Sequence, residues 1–192
     1  MSDAIEREIK LRYDTCDAAR AAIVALHASP LRRRRLQDDR LLDLPDGNLR
    51  HRHCTLRIRN ETPVDSAGTA TSTATVTFKG PPLPNVMKVR EEIETAVGDG
   101  ELLVRILEKA GWQVWFRYQK FREEFTQSGV VIAIDETPVG TFVELEGDED
   151  GIARLAKALG RTTGDYIVAS YRRLYIEHCA DTGRSVTHMV FG

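Results

Sequence analysis

The chain has 192 residues, of which 42% are hydrophobic and 29% charged, a composition that supports one globular domain and argues against disorder. Lys and Arg number 27 against 29 Asp and Glu, so the net charge of −2 disfavours a general nucleic-acid-binding protein. No apolar run reaches the roughly 18 residues of a membrane span, and the polar N-terminus shows no signal-peptide pattern. The three cysteines show no CxxC spacing and are odd in number, which argues against a disulfide framework and predicts a cytoplasmic protein. From the charge and the lack of an apolar run we expect neither nucleic-acid nor membrane partners.

The first half of the chain alternates between apolar and polar residues, which is the period of strands. An Ala-rich segment at 15–28 predicts a helix that Pro30 ends, and the Pro/Ser/Gly/Thr-rich segment 61–72 predicts a mobile connection. The predicted strands of this half are 4–13, 36–44, 55–60, 73–79 and 86–97.

The second half begins with a helix at 100–111, where apolar residues recur at helical spacing before Gly111. Strands are predicted at 115–126, 130–135 and 141–146, and further helices at 148–159 and 164–179. The predicted class is α+β, with about eight mostly antiparallel strands. We expect one domain over 1–180, followed by a loose C-terminal tail at 181–192.

Long charged side chains repeat at positions two apart on these strands, which places each group on one side of its strand. The groups are Glu6/Glu8/Lys10, Arg57/Arg59, Lys88/Arg90/Glu92/Glu94, Lys120/Arg122 and Glu144/Glu146. If these faces turn into a barrel, buried carboxylates face buried cations, and a polyphosphate with a divalent metal would satisfy both. The alternative is that the faces point to solvent and form surface ion pairs, and the pattern alone leaves both open.

The segment 6–10 reads ExExK, and further charged elements follow it in a fixed order. These are LRIR at 56–59, TFKGP at 77–81, REEIE at 90–94, YQKFR at 118–122, IDE at 134–136 and FVELEG at 142–147. Over residues 4–177 the sequence resembles the CYTH superfamily, the triphosphate tunnel metalloenzymes. In the second strand it departs from the family, because Asp39-Arg40-Leu41-Leu42-Asp43 lacks the tyrosine that relatives often have there.

The resemblance implies an eight-stranded antiparallel β-barrel, open at both ends, with flanking helices and with the catalytic ions inside. The implied metal ligands are Glu6, Glu8, Asp135, Glu144 and Glu146. The implied triphosphate-binding residues are Lys10, Arg57, Arg59, Lys79, Arg90, Lys120 and Arg122. Of these sets, Glu8, Lys10 and Lys79 are expected to be catalytic, and the roles of Glu92, Glu94 and Lys88 stay open.

The implied function is metal-dependent hydrolysis of inorganic triphosphate, ATP or thiamine triphosphate, with Mg²⁺ or Mn²⁺ as cofactor. One alternative is a class IV adenylyl cyclase, which forms cyclic AMP and pyrophosphate from ATP; the sequence shows no pocket for its nucleoside. An alternative of another class is a non-catalytic polyphosphate-binding module, which so many carboxylates would hinder. Pairing of two copies through an outer barrel face is compatible with a domain of this size.

Overall fold

Eight antiparallel strands close into a barrel in a computed structural model, described for residues 5–64 and 72–192. Around the barrel the strand order is β1-β5-β4-β3-β2-β6-β7-β8. The strands are β1 Ile5–Tyr13, β2 Ser29–Asp43, β3 Thr55–Pro63, β4 Thr73–Lys79, β5 Lys88–Val97, β6 Gln113–Gln127, β7 Val130–Thr137 and β8 Gly140–Glu146. The predicted α+β barrel is therefore confirmed.

Five α-helices flank the barrel, and side-chain caps fix where four of them begin. Thr15, Asp99, Asp148 and Ser170 each accept a hydrogen bond from a backbone amide in the first turn of the helix that follows. The helices are α1 Cys16–Ala25, α2 Asn48–His51, α3 Gly100–Lys109, α4 Glu149–Ala158 and α5 Tyr171–Thr182. Among the residues described, none of these helices has the length and apolar character to cross a membrane.

The largest apolar cluster lies outside the barrel, between the strands and two of the helices, and smaller clusters pack other strands against α3 and α5. Ile9 and Leu145 on the outer face of β1 and β8 are fully buried under Ile23 of α1 and Ile152 of α4. Since alternate residues of a strand point to opposite faces, the charged residues between these apolar ones point into the barrel. β1 and β8 are therefore buried on both faces here, apolar outside and ionic inside.

Two element boundaries differ from the sequence prediction for reasons visible in the packing. β2 begins at Ser29 rather than at residue 36, because its first half pairs with β6 through two register shifts. The final helix begins at Tyr171 rather than at 164, because Ile167 is held in a β-bridge to Lys10 and Ser170 supplies the cap.

The C-terminal segment after α5, which was expected to be loose, packs against β6. Met189 is fully buried and its carbonyl accepts a hydrogen bond from the amide of Gln119 at 2.8 Å, while its own amide donates to the carbonyl of Arg117 at 3.0 Å.

The predicted connection at 61–72 begins later than expected, because β3 continues to Pro63. The remainder of that prediction, at 65–71, lies outside the described residues.

Candidate active site

The barrel encloses a cavity of about 770 Å³ whose wall is dominated by charge. Among the described residues, twelve Lys and Arg side chains and eight Glu side chains line it. All the site residues predicted from the sequence line this cavity except Asp135, which lies behind the wall and is fully buried. The charged strand faces therefore turn inward, and the solvent-facing alternative is wrong.

The N-terminal ExExK segment meets β8 and β5 in a register that alternates charge. Glu8 lies directly opposite Glu146 on β8 and opposite Lys88 on β5, and Lys10 lies opposite Glu144. The Lys10 ammonium is 2.9 Å from Glu8 Oε1 and 3.2 Å from Glu144 Oε1. Burial alone would raise the pKa of Glu8, but Lys10 and Lys88 hold that pKa well below its usual range.

Lys79 on β4 joins two carboxylates, one from the neighbouring strand β5 and one from β1 beyond it. Its Nζ lies 2.8 Å from Glu6 Oε1 and 2.6 Å from Glu92 Oε2. Burial and the neighbouring Glu8 raise the pKa of Glu6 to about 7, whereas the pKa of Glu92 is lowered. Glu92 also lies 3.6 Å from Arg57 Nη2, whereas Lys79 is the one cation within 4.0 Å of Glu6 among the described residues.

Glu146 completes the acidic side of the lumen. It contacts lumen solvent and has no Lys or Arg within 4.0 Å among the described residues. Burial and the neighbouring Glu8 raise the pKa of Glu146. Within the described part of the chain, no three His, Cys, Asp or Glu side chains converge at metal-binding separation, because the other carboxylates lie against lysines or arginines.

The opposite wall holds a cluster of arginines around one buried carboxylate. Arg59 Nε donates to Asp39 Oδ1 at 2.7 Å, and Arg57 Nε lies 3.6 Å from the same oxygen. Asp39 is fully buried beneath Tyr118, whose pKa burial and Asp39 raise to about 12. Arg57 also donates to Glu94 at 3.2 Å. Asp39 thus fixes the direction in which both guanidinium groups enter the lumen.

Asp135 has the same role for a second pair of bases. Its carboxylate accepts from Lys120 Nζ at 2.8 Å, from Arg122 Nε at 2.6 Å and from the Tyr171 hydroxyl at 2.6 Å. Arg122 also donates to Glu144. Burial and the adjacent Arg122 lower the pKa of Lys120 to about 8. Both oxygens of Asp135 are therefore engaged by cations and a phenol.

Arg90 is a lumen cation that lacks a carboxylate partner. Its Nε and Nη2 donate to the Gly80 carbonyl at 3.0 and 2.6 Å, and no carboxylate oxygen within the described residues lies within 4.0 Å. Burial lowers the pKa of Arg90, although Glu6 and Glu8 oppose this. The Gly80 carbonyl thus positions Arg90, whose positive charge is not compensated by a carboxylate of the described residues and is available to bind an anionic ligand.

Several lining residues were not assigned to the site from the sequence. Arg35 donates to Glu61 at 3.0 Å and lies 2.8 Å from Glu124, and all three line the cavity with the fully buried Gln37. The basic run at 32–35 was a visible signal, since a strand through it must turn alternate arginines inward. Tyr171 gave no comparable signal, because a tyrosine on a helix is equally consistent with an ordinary core position.

The family model described as CYTH domain matches residues 4–176, nearly the whole chain. The chain belongs to the CYTH domain family. CYTH proteins are triphosphate-acting enzymes that generally depend on a divalent metal. The resemblance noted from the ExExK segment and the elements after it is therefore confirmed.

Individual relatives agree with this assignment. A Methanocaldococcus jannaschii protein named as a candidate adenylate cyclase is 29% identical over 156 residues, which are 81% of this chain and 83% of that protein. A Vibrio parahaemolyticus structure, also named a candidate adenylate cyclase, is 20% identical with a TM-score of 0.76, covering 90% of this chain and 98% of that one.

A Hippeastrum structure shows the same fold at lower similarity. It is described as a candidate adenylyl cyclase with a dominant triphosphatase activity. It is 18% identical with a TM-score of 0.63, covering 95% of this chain and 97% of that one. At this identity the likeness shows the barrel fold alone.

Proposed function

We propose that this CYTH protein is a metal-dependent enzyme that hydrolyses an inorganic or organic triphosphate inside the barrel. The observation that carries the proposal is the charge of the lumen wall, where twelve Lys and Arg side chains face eight Glu. Asp39 and Asp135 behind the wall compensate part of this positive charge, whereas Arg90 has no carboxylate partner among the described residues. Because buried charges are costly unless they are paired, the remaining positive charge favours a polyanionic ligand. Arginine guanidinium groups can bind phosphate oxygens in a bidentate manner, which suits a triphosphate chain.

The proposed triphosphate site includes bases from three strands, β3, β5 and β6, that buried carboxylates or a carbonyl already orient. Asp39 holds Arg57 and Arg59, Asp135 holds Lys120 and Arg122, and the Gly80 carbonyl holds Arg90. Such preorganisation stabilises developing phosphoryl charge without reorganising the protein during the reaction. We therefore assign Asp135 to positioning Lys120 and Arg122, and no longer to the metal ligands.

The carboxylates on the acidic side fit a divalent cation by their chemistry. Glu6, Glu8, Glu144 and Glu146 offer hard oxygen donors, and the raised pKa values of Glu6 and Glu146 reflect negative charge that a cation would compensate. Bound Mg²⁺ or Mn²⁺ would neutralise phosphate oxygens and lower the pKa of a coordinated water. For these oxygens to be free, the ammonium groups of Lys10 and Lys88 must leave Glu8 for the substrate phosphates.

Three residues of the chain have direct roles in the proposed reaction. Lys10 and Lys79 stabilise the charge that develops on the transferred phosphoryl group and its leaving oxygen. Glu8, ionised because its pKa is held low, orients the attacking water and accepts its hydrogen bond. Lys10 touches both Glu8 and Glu144, so a phosphate that draws Lys10 away removes one cation from each carboxylate, while Lys88 still contacts Glu8 and Arg122 still contacts Glu144.

A second candidate is cyclisation of ATP, which the names of the archaeal and bacterial relatives favour. In that reaction the same bases would hold the triphosphate while the ribose hydroxyl replaces water as the nucleophile. The choice depends on what lies beside the triphosphate, which the lumen charges do not determine.

The experiment is ³¹P NMR analysis of products from inorganic triphosphate and from ATP, each with Mg²⁺ and with Mn²⁺. Hydrolysis predicts orthophosphate with pyrophosphate from triphosphate, and orthophosphate with ADP from ATP. Cyclic AMP with pyrophosphate would overturn the hydrolase in favour of the cyclase. Binding without turnover by any combination, thiamine triphosphate included, would instead support a polyphosphate-binding module.

The Glu8→Gln variant separates catalysis from binding in the same assay. It should lose turnover by at least about 100-fold, the scale of losing a general base, while triphosphate binding persists. Glu123→Gln is the matched control, because Glu123 pairs with Arg20 on the outside of the barrel. Equal loss of activity in both variants would contradict the assignment of Glu8.

A further inference from the structure

We propose that the end of the lumen beside Trp115 is a subsite for the planar aromatic group of an organic triphosphate, and that Trp115 and Arg172 determine this specificity. The inference rests on the proposed function and deepens it, because it separates organic from inorganic substrates. Neither residue belongs to the set of bases and carboxylates that bind the triphosphate in the preceding section.

Two guanidinium groups lie over the Trp115 ring at this end of the lumen. The Cζ atoms of Arg50 and Arg172 are 4.9 and 4.8 Å from the ring centroid, and all three residues line the cavity. Trp115 is half-buried, and its ring centroid is 6.1 Å from that of Phe116, which is almost completely buried. The indole is therefore anchored on one side and presented to the lumen on another.

Arg50 and Arg172 differ in what holds them. Arg50 Nε donates to Asp43 Oδ2 at 3.0 Å, so Asp43 satisfies part of its charge. Arg172 has no carboxylate oxygen within 4.0 Å among the described residues, and its guanidinium lies over the rings of Trp115 and Phe116. Burial and the nearby Arg50 lower the pKa of Arg172. Its guanidinium plane is thus available to stack on a ligand ring, as arginines do on nucleobases.

A continuous wall connects this subsite to the bases that would hold the triphosphate. Tyr171 precedes Arg172 at the start of α5, and its ring centroid lies 5.2 Å from Lys10 Nζ and 4.7 Å from Lys120 Nζ. A phosphate bound between Lys10 and Lys120 would therefore sit next to Tyr171. The group attached to that phosphate would reach Arg172 and Trp115 along the same helix end.

The size and lining of the cavity agree with an organic ligand. Its volume of about 770 Å³ lies within the roughly 300–1,000 Å³ typical of pockets for drug-sized molecules. Leu41 and Val168 add apolar surface to the wall that contains Trp115. An inorganic triphosphate has no atoms that could cover this surface, whereas an aromatic heterocycle covers it by stacking on the indole and the guanidinium.

The test compares the KM for ATP with the KM for inorganic triphosphate in the same variants. Removing one base-stacking aromatic ring typically weakens binding by roughly 5- to 100-fold, so Trp115→Ala should raise the KM for ATP within that range. Its KM for inorganic triphosphate should stay within about twofold of wild type, which also shows that the variant is folded. Equal changes for both substrates, or no change for ATP, would overturn the subsite.

Two further variants keep the test independent of folding. Trp115→Phe retains a ring and should lose less ATP affinity than Trp115→Ala. Arg172→Gln should weaken ATP selectively, and Arg173→Gln is its matched control, because Arg173 pairs with Glu177 on the exposed side of α5. A loss of ATP affinity in Arg173→Gln equal to that in Arg172→Gln would contradict the assignment.

A binding measurement distinguishes failure of the subsite from failure of the proposed function. In a Trp112→Phe protein, Trp115 is the remaining tryptophan of the chain, so its fluorescence reports on this end of the lumen. ATP should quench it at concentrations where inorganic triphosphate does not. If inorganic triphosphate binds but ATP neither binds more tightly nor quenches Trp115, the subsite alone is refuted. If neither ligand binds, both the subsite and the proposed function are refuted.

Discussion

The Asp135→Asn variant tests the interpretation that a carboxylate behind the lumen wall holds two triphosphate-binding side chains, Lys120 and Arg122, in place. Asp135 is fully buried and accepts hydrogen bonds from Lys120, Arg122 and Tyr171. Asparagine has nearly the same shape but no charge, so the substitution leaves Arg122 with Glu144 and Glu124, and leaves Lys120 with no carboxylate within 4.0 Å among the described residues. Breaking a buried ion pair by removing one partner costs about 3–5 kcal/mol.

Urea unfolding monitored by circular dichroism measures this cost. With a slope of about 2 kcal/mol/M, a loss of about 3 kcal/mol lowers the midpoint by roughly 1.5 M. Asp38→Asn is the matched control, because Asp38 pairs with the partly exposed Arg117 on the barrel exterior, where a pair contributes at most about 1 kcal/mol. If the two variants unfolded at the same urea concentration, the positioning role of Asp135 would be refuted.

Three more outcomes are expected from the same lumen. Because the pKa of Lys120 falls from 10.5 unfolded to about 8 folded, the unfolded chain binds more protons between these values. Wild-type stability should therefore rise with pH from about 8 towards 10 relative to Lys120→Met, by up to about 1.4 kcal/mol per unit, and parallel urea curves would contradict this. Tyr171→Phe removes one hydrogen bond to Asp135 and should cost about 1.5–3 kcal/mol by the same unfolding assay, while its triphosphate affinity stays near wild type. A chelator should abolish turnover without lowering the melting temperature, because in the absence of a metal Glu8 and Glu144 pair with Lys10; a large drop would assign the metal a structural role.

The period of two in the sequence was sufficient to predict most of the strands and which charged residues share a face of each strand. Charged residues such as Arg57 and Arg59 recur on one face, a pattern that fits a solvated sheet face as well as the lumen of a barrel. The order of motifs after the ExExK segment then indicated the CYTH family. The resemblance to that family, rather than the period itself, implied that these charged faces line a barrel.

The pairing of those residues across strands could not be predicted, because it depends on the register between segments distant in the chain. Asp135 and Arg122 are opposite each other on β7 and β6, whereas Asp135 and Glu144 are not. Both carboxylates read alike in sequence, yet one lies behind the wall and the other lines the cavity. The start of α5 was misplaced for a similar reason, since the bridge between Ile167 and Lys10 joins residues far apart in sequence.

The central claim is that the lumen binds a triphosphate, and calorimetric titration of the metal-free protein with inorganic triphosphate tests it most directly. We predict binding at one site in the wild type, and a roughly 10- to 100-fold weaker Kd in Arg90→Gln, the loss expected for charge-assisted hydrogen bonds. This substitution leaves no buried carboxylate without its partner, because Arg90 donates to the Gly80 carbonyl. Arg20→Gln, on the barrel exterior beside Glu123, should bind as the wild type does. Absence of binding in the wild type, or equal affinity in all three proteins, would contradict the account.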